Sequence, residues 1–248
     1  MSNRPLLEIC VETLEAALAA MRGGADRIEL CENLLVGGVT PSIELMRAVR
    51  AQIKLPVFAM IRTRGGDFVP TQPEFEQMIR DLATAKACGM DGVVLGMLHS
   101  ERNVEVEGTK KLVELARPLP VTFHRAFDET PDLLQALDDV LATGAARILT
   151  SGGKPNAKEG SSSIAELVKR AGGRIEILAG GGINSATVEW VMRKSGAREF
   201  HAGLSSTLPY PQTDFAAFES EVRNLSEALE TQIRPKLATV KSRGIPKL

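Results

Sequence analysis

The sequence predicts a single (β/α)8 TIM barrel spanning residues 1–248, with residues 231–248 a basic C-terminal extension. Two observations predict this fold. Eight short apolar runs are each bounded by turn residues, and helical patterns separate them at a spacing of roughly 30 residues, the unit expected of a barrel of about 250 residues. A third observation removes the main competitor: an open doubly wound sheet would show a glycine fingerprint after its first strand, and LLEICVETLEAALA has no glycine.

The strands are read in order as LLEICVE (6–12), RIELCEN (27–33), PVFAMIR (56–62), GVVLGML (92–98), PVTFHRAFD (120–128), RILTSGG (147–153), IEILAGGG (175–182) and EFHAGLSS (199–206). Apolar residues at helical spacing follow the first (Leu14, Ala17, Leu18, Met21), the third (Phe75, Met78, Ile79, Leu82), the fifth (Leu133, Leu134, Leu137, Leu141) and the eighth (Phe215, Phe218, Val222, Leu225). Thr71 and Ser163 each have a glutamate three residues on, Glu74 and Glu166, as a capping box requires, and Thr130-Pro131 places proline at a first helical position. Glycines at 23–24, 89, 144, 172–173 and 196 mark helix ends. No linker-like segment divides the chain, so one domain is expected.

Composition excludes several function classes. Of the residues 44% are apolar and the net charge is −1, which describes an ordinary globular chain with no basic stripe for nucleic acid. The N-terminal MSNRPLLEICVE lacks a signal-peptide core, and no apolar run approaches the roughly 20 residues a bilayer span needs, so a cytoplasmic protein without a membrane partner is expected. Three cysteines, Cys10, Cys31 and Cys88, without CxxC spacing, are expected to be free thiols.

In a barrel, alternate strand residues face the helices and the interior. The first strand then sends Leu7, Ile9 and Val11 outward and Glu8, Cys10 and Glu12 inward. The second sends Ile28 and Leu30 outward and Glu29, Cys31 and Asn33 inward. By the same rule Phe58, Met60, Arg62 and Arg64 face in from the third, Thr122, His124, Ala126 and Asp128 from the fifth, and Glu199, His201 and Gly203 from the eighth. Barrel interiors are ordinarily packed with branched apolar side chains, and each unpaired buried charge costs several kcal/mol. One account is an ion-pair network in which Glu8 and Glu29 neutralise Arg62. The other is a functional site in which Glu8, Glu29, His124, Asp128 and His201 perform general acid/base chemistry.

Two further features suggest the ligand. Strand ends TSGG and LAGGGI place Ser151 and Gly180, Gly181 and Gly182 where backbone N–H groups approach a bound molecule, and a helix beginning at Asn184 would point its positive end there. IRTRGGDF puts Arg62 and Arg64 on one face before a Gly-Gly turn. Together they point to a small anionic substrate, phosphorylated or carboxylated, although a salt bridge of Arg64 to Asp67 explains that arginine equally well.

The motifs LEICVETLEAALAAMRGGADRIELCENLLVGGVTPS, MIRTRGGDF, TFHRAFDE, RILTSGG and LAGGGI, in this order, resemble the CutC family, proteins named for copper homeostasis. The resemblance runs from about residue 5 to residue 230. It implies a cytosolic (β/α)8 barrel, oligomeric as a dimer or tetramer, whose polar interior forms the pocket, and a copper-related role with no defined reaction. The chain departs from the pattern after strand four, where MLHSERNVEVEG, with His99, Glu101 and Glu105, replaces an Asp-rich turn, and at HAGLSS in strand eight, where His201 is kept. Cys10, Cys31 and Met60 face inward from three consecutive strands, and thiolate with thioether selects Cu(I); core packing of small, soft side chains is the bland alternative. A hard cation between Glu8 and Glu29 is disfavoured if Arg62 lies near. Two functions follow: a copper-binding protein with Cys10 and Cys31 as ligands, and a barrel enzyme acting on a small anion.

Overall fold

The computed structural model describes residues 4–204 and 207–231. Eight parallel strands close into a barrel in sequence order, β1 (Leu6–Val11), β2 (Arg27–Leu30), β3 (Val57–Met60), β4 (Gly92–Leu95), β5 (Val121–Phe123), β6 (Arg147–Thr150), β7 (Glu176–Gly180) and β8 (Glu199–Ala202), with β8 pairing back onto β1. The helices α1 (Leu14–Gly23), α2 (Ile43–Gln52), α3 (Gln72–Ala87), α4 (Val106–Ala116), α5 (Leu133–Thr143), α6 (Ser161–Ala171), α7 (Val188–Ser195) and α8 (Phe215–Thr231) alternate with them. This is the (β/α)8 barrel that the run-and-helix spacing predicts. Most of the basic extension, residues 232–248, lies outside the described residues.

The outward strand residues drive the assembly. Leu7, Ile9, Ile28, Leu30 and Phe200 are fully buried beneath the helices, and each such side chain contributes about 1.5–3 kcal/mol over its exposed state. The helices are cut where the sequence marks them. Thr13 Oγ1 accepts from Ala16 N–H, the Thr71 N–H donates to Glu74 Oε2 at 2.7 Å, and left-handed Gly24, Gly144, Gly172 and Gly196 terminate α1, α5, α6 and α7. At Gly23 a Cβ would come within 2.7 Å of Val222 Cβ, so only glycine lets α1 and α8 approach this closely.

Three helix starts differ from expectation. Ser163 falls inside the first turn of α6, which begins after Gly160, so the Ser163–Glu166 box does not form. Asp132, not Thr130-Pro131, caps α5, its carboxylate accepting from Leu134 and Gln135 N–H. Asn184 sits in a turn ahead of α7, which starts at Val188. Only at α5 does a side chain take up the free N–H groups; Gly160 and Thr187, which precede α6 and α7, make no capping side-chain hydrogen bond.

Several strands also end earlier than the apolar runs. β3 stops at Met60 and β5 at Phe123, where the chain enters a 3-10 turn over Arg125–Glu129; a second such turn spans Leu34–Val36 after β2. Alternation therefore fails past these points. Asn33 is exposed in a left-handed conformation rather than inside, Ala126 joins the outer core, and Glu12 leaves the interior to accept from the Leu34 N–H and the Tyr210 hydroxyl. Gly203 lies past the end of β8.

Candidate functional site

The barrel interior is filled in layers, and its lowest layer is ionic. Arg27, 3% exposed, donates from Nε to Glu8 and from Nη2 to Glu199 at 2.6 Å, while Arg147 Nε donates to Glu199 at 3.0 Å. Both guanidiniums lie over the Phe58 ring, at 5.0 and 5.2 Å from its centroid. The interior charges are thus paired, but by Arg27 and Arg147 and not by Arg62. Strand register causes this, because Glu8 lies opposite Arg27 on β2 and Leu6 opposite Glu199 on β8.

Arg62 emerges beyond the end of β3 and turns to the loops. Its guanidinium donates to the carbonyls of Val36, Gly38 and Gly66 and covers Phe68 at 4.4 Å from the ring centroid. The expected contact of Arg62 with Glu8 and Glu29 does not form. Arg64 also points away, bound to Asp67 at 2.8 Å and Glu74 at 2.6 Å.

Above the ionic layer sit the groups that reach solvent. His201 Nδ1–H donates to Glu8 Oε1 at 2.7 Å and lies 3.1 Å from Glu29 Oε2. Burial opposes the charge on Glu8, yet Arg27 and His201 outweigh it and hold the carboxyl at about 2. Burial dominates at Glu29 and, reinforced by Glu8 against the pull of His201, pushes it up to about 7. At His201 burial pulls downward, but Glu29 and Glu8 overcome it and the imidazole is raised. Two carboxyls on neighbouring strands thus hold opposite protonation preferences.

The thiols form the adjoining wall. Cys10 Sγ and Cys31 Sγ are 3.5 Å apart in a small interior cluster with Phe58, Met60 and Val94, separate from the main core. The hydrogen bond with Cys31, together with burial and the nearby carboxylates, raises Cys10 well above an ordinary thiol. Cys10, Glu29 and His201 each place one ligand atom within 4.8 Å of the others. These groups line a cavity of about 570 Å³ at the C-terminal mouth of the barrel, the face on which barrels carry their sites. The 3-10 turn after β5 and the β6 loop close its opposite side with His124, Arg125, Asp128 and Lys154.

Of the expected site residues, Glu29, His124, His201, Cys10, Cys31, Arg62 and Asp128 line this cavity, whereas Glu8 lies beneath it as the support of His201. Asp128 is largely consumed as a clamp. Its oxygens accept from Thr150 Oγ1 and the N–H groups of Ser151 and Gly153, and it pairs with Arg125. Of the expected anion-binding set Arg62 lines this cavity, whereas Arg64, Ser151, Gly180, Gly181 and Gly182 are not among the lining residues. Ser151 is fully buried and bonded to Asp128 and the Lys154 carbonyl; Gly181 accepts from Ala157 N–H and packs on Ser151.

Residues that sequence reasoning overlooked are Arg27, Arg147, Arg125 and Lys154. Arg27 was legible, because it stands two positions before Glu29 and shares its face. Arg125 was not, since it belongs to a turn that interrupts the strand period.

A parallel (β/α)8 barrel with a cavity of thiols, carboxylate and imidazole at its C-terminal mouth is the class of protein that this fold and site define. The chain belongs to the CutC family, whose description matches residues 5–206. It is similar to the human copper homeostasis protein cutC homolog, at 45% identity over 206 residues covering 83% of this chain and 76% of that one. A family protein CutC of Chromobacterium violaceum is 39% identical over 244 residues, covering 91% and 98% of the two chains. Among solved structures, a CutC of Streptococcus agalactiae superposes with a TM-score of 0.76 at 33% identity, covering 79% of this chain and 97% of that one.

Proposed function

We propose that the protein binds Cu(I) as cargo at Cys10 and Cys31, with His201 as a third ligand. The observation that carries this reading is the 3.5 Å approach of the two Sγ atoms, together with a His201 nitrogen within 4.8 Å of Cys10 Sγ. Thiolate and imidazole are the donors that suit a soft ion, and the Met60 thioether belongs to the same cluster. Binding requires both thiols to lose their protons. Before a metal binds, Cys10 keeps its proton, and Glu29, held at about 7, stands beside it as an acceptor. Glu8 fixes the His201 ring from behind, the carboxylate–histidine support that metal-ligating imidazoles use. The names of the relatives agree with this reading.

The test is a Cu(I) titration against a competing chromophoric chelator. Wild type and Cys88→Ser are expected to take one ion per chain, and Cys10→Ser with Cys31→Ser to lose it. Glu8→Gln is expected to weaken binding by roughly 10–100-fold. Unchanged stoichiometry in the double cysteine variant overturns the reading.

A second reading, general acid/base catalysis on a small anionic substrate, is favoured by one observation: Glu8 at about 2 and Glu29 at about 7 flank the same imidazole. In that role Glu29 accepts the proton and His201 returns it. Turnover lost in Glu29→Gln and retained in Cys31→Ser is the result expected of this reading, and the reverse pattern excludes it.

A further inference from the structure

His124 is 4% exposed and lines the cavity, yet its Nε2, itself buried, has no hydrogen-bond partner among the described residues. Its other nitrogen, Nδ1, accepts from the Ala126 N–H at 3.3 Å, which places the proton of the neutral ring on Nε2. Burial, with Arg62 nearby, pulls this imidazole down to about 3, so it stays neutral at ordinary pH, with Nδ1 as acceptor and Nε2–H as donor. Phe68 at 4.9 Å and Phe123 at 6.1 Å between ring centroids hold the ring in place. A buried donor without a partner costs about 1–3 kcal/mol, which an acceptor in the cavity would recover.

Arg62, Arg125 and Lys154 line the same cavity as His124, together with three carboxyl side chains, Glu29, Asp128 and Glu129. Arg125 is engaged by Asp128 at 2.8 Å and Ser151 at 2.9 Å, whereas exposed Lys154 has no ion pair among the described residues. Leu34, Val36 and Leu149 add apolar surface, and about 570 Å³ exceeds the space an ion needs and falls in the range of small-molecule sites.

The geometry points to a second binding element in this cavity, an oxyanion subsite in which His124 Nε2–H and the Lys154 ammonium receive the carboxylate or phosphate of a small organic molecule. It names the substrate class of the acid/base reading, but concerns binding alone and requires neither turnover nor copper. It also relocates the anion site: the sequence places it at Arg62, Arg64 and Gly180–Gly182, and the structure leaves Arg64 and those glycines outside the cavity.

The test uses metal-free protein labelled with 15N-histidine and titrated with inorganic phosphate, glycerol 3-phosphate and succinate. The chain has three histidines, so the ring resonances are separable, with His99→Ala identifying one of them. At least one probe is expected to shift the His124 Nε2–H signal and leave His99 in place. Lys154→Ala, at an exposed position, is expected to weaken that probe at least tenfold, and His124→Phe, which keeps a ring against Phe68, likewise. The titration uses metal-free protein and reads probe binding alone, so failure of the copper reading leaves this result intact. Absence of any His124 shift with all three probes, or undiminished binding in Lys154→Ala, overturns the inference.

Discussion

Replacing Glu8 by glutamine removes the charge on which the ionic layer turns. Glu8 is fully buried, faces Arg27 and holds His201 at 2.7 Å. Its carboxyl stands at about 2 in the folded protein against a reference of 4.5, a difference that corresponds to about 3 kcal/mol. Removal of one partner from a buried pair independently suggests about 3–5 kcal/mol. Against a total stability of about 5–15 kcal/mol, the loss is large, equivalent to a fall in Tm of about 6–12 °C for a domain of this size. The folded value lies below the unfolded one, so the contribution is complete above about pH 4.5 and disappears as the pH falls toward 2. Guanidinium denaturation of wild type and Glu8→Gln at pH 7 and pH 3 should therefore show a gap that narrows at the lower pH. Adding Arg27→Met should restore part of the stability, because the guanidinium that Glu8 faced is then gone while Glu199 keeps Arg147. A loss under about 1 kcal/mol at pH 7, or one that does not change with pH, refutes the assignment of Glu8 to this network.

Glu29 has the opposite sign: its folded value, about 7, is above the reference, so its ionisation destabilises the fold as the pH rises from about 4.5 through 7, and Glu29→Gln should flatten that slope in a pH series of denaturation curves. At Gly160 an added Cβ would stand 1.8 Å from the Ser151 carbonyl oxygen, so Gly160→Ala must displace the β6 loop; a thermal melt indistinguishable from wild type would contradict this packing. Arg64→Ala should change stability by less than about 1 kcal/mol and leave Cu(I) binding unaltered, because its partners Asp67 and Glu74 are solvent-facing ion pairs outside the cavity. Alkylation of the native protein at pH 8 followed by mass spectrometry should label Cys88 first, since Cys31 is fully buried and Cys10 is both buried and raised well above an ordinary thiol.

Much of the barrel was readable because strand alternation is a local property of the backbone. It assigned Glu8, Cys10, Glu29, Cys31, Met60, His124 and His201 to the interior without any knowledge of neighbours, and helix-ending glycines required only a left-handed φ. It failed where strands stop. Past Met60 and Phe123 the chain bends into turns, and Arg64 and Ala126 take directions that a period of two does not describe.

What the sequence by itself determined is therefore the barrel, its inward polar set and its family, since each depends on local period or on residue order. Only the tertiary structure decided the pairing: that Glu8 answers to Arg27 and His201, that Arg62 serves loop carbonyls, and that Cys10 meets Cys31 at 3.5 Å. The physical reason is register. Which interior side chains meet depends on the stagger between strands that are distant in sequence, and on the point at which each strand ends. Neither quantity is written in any one segment.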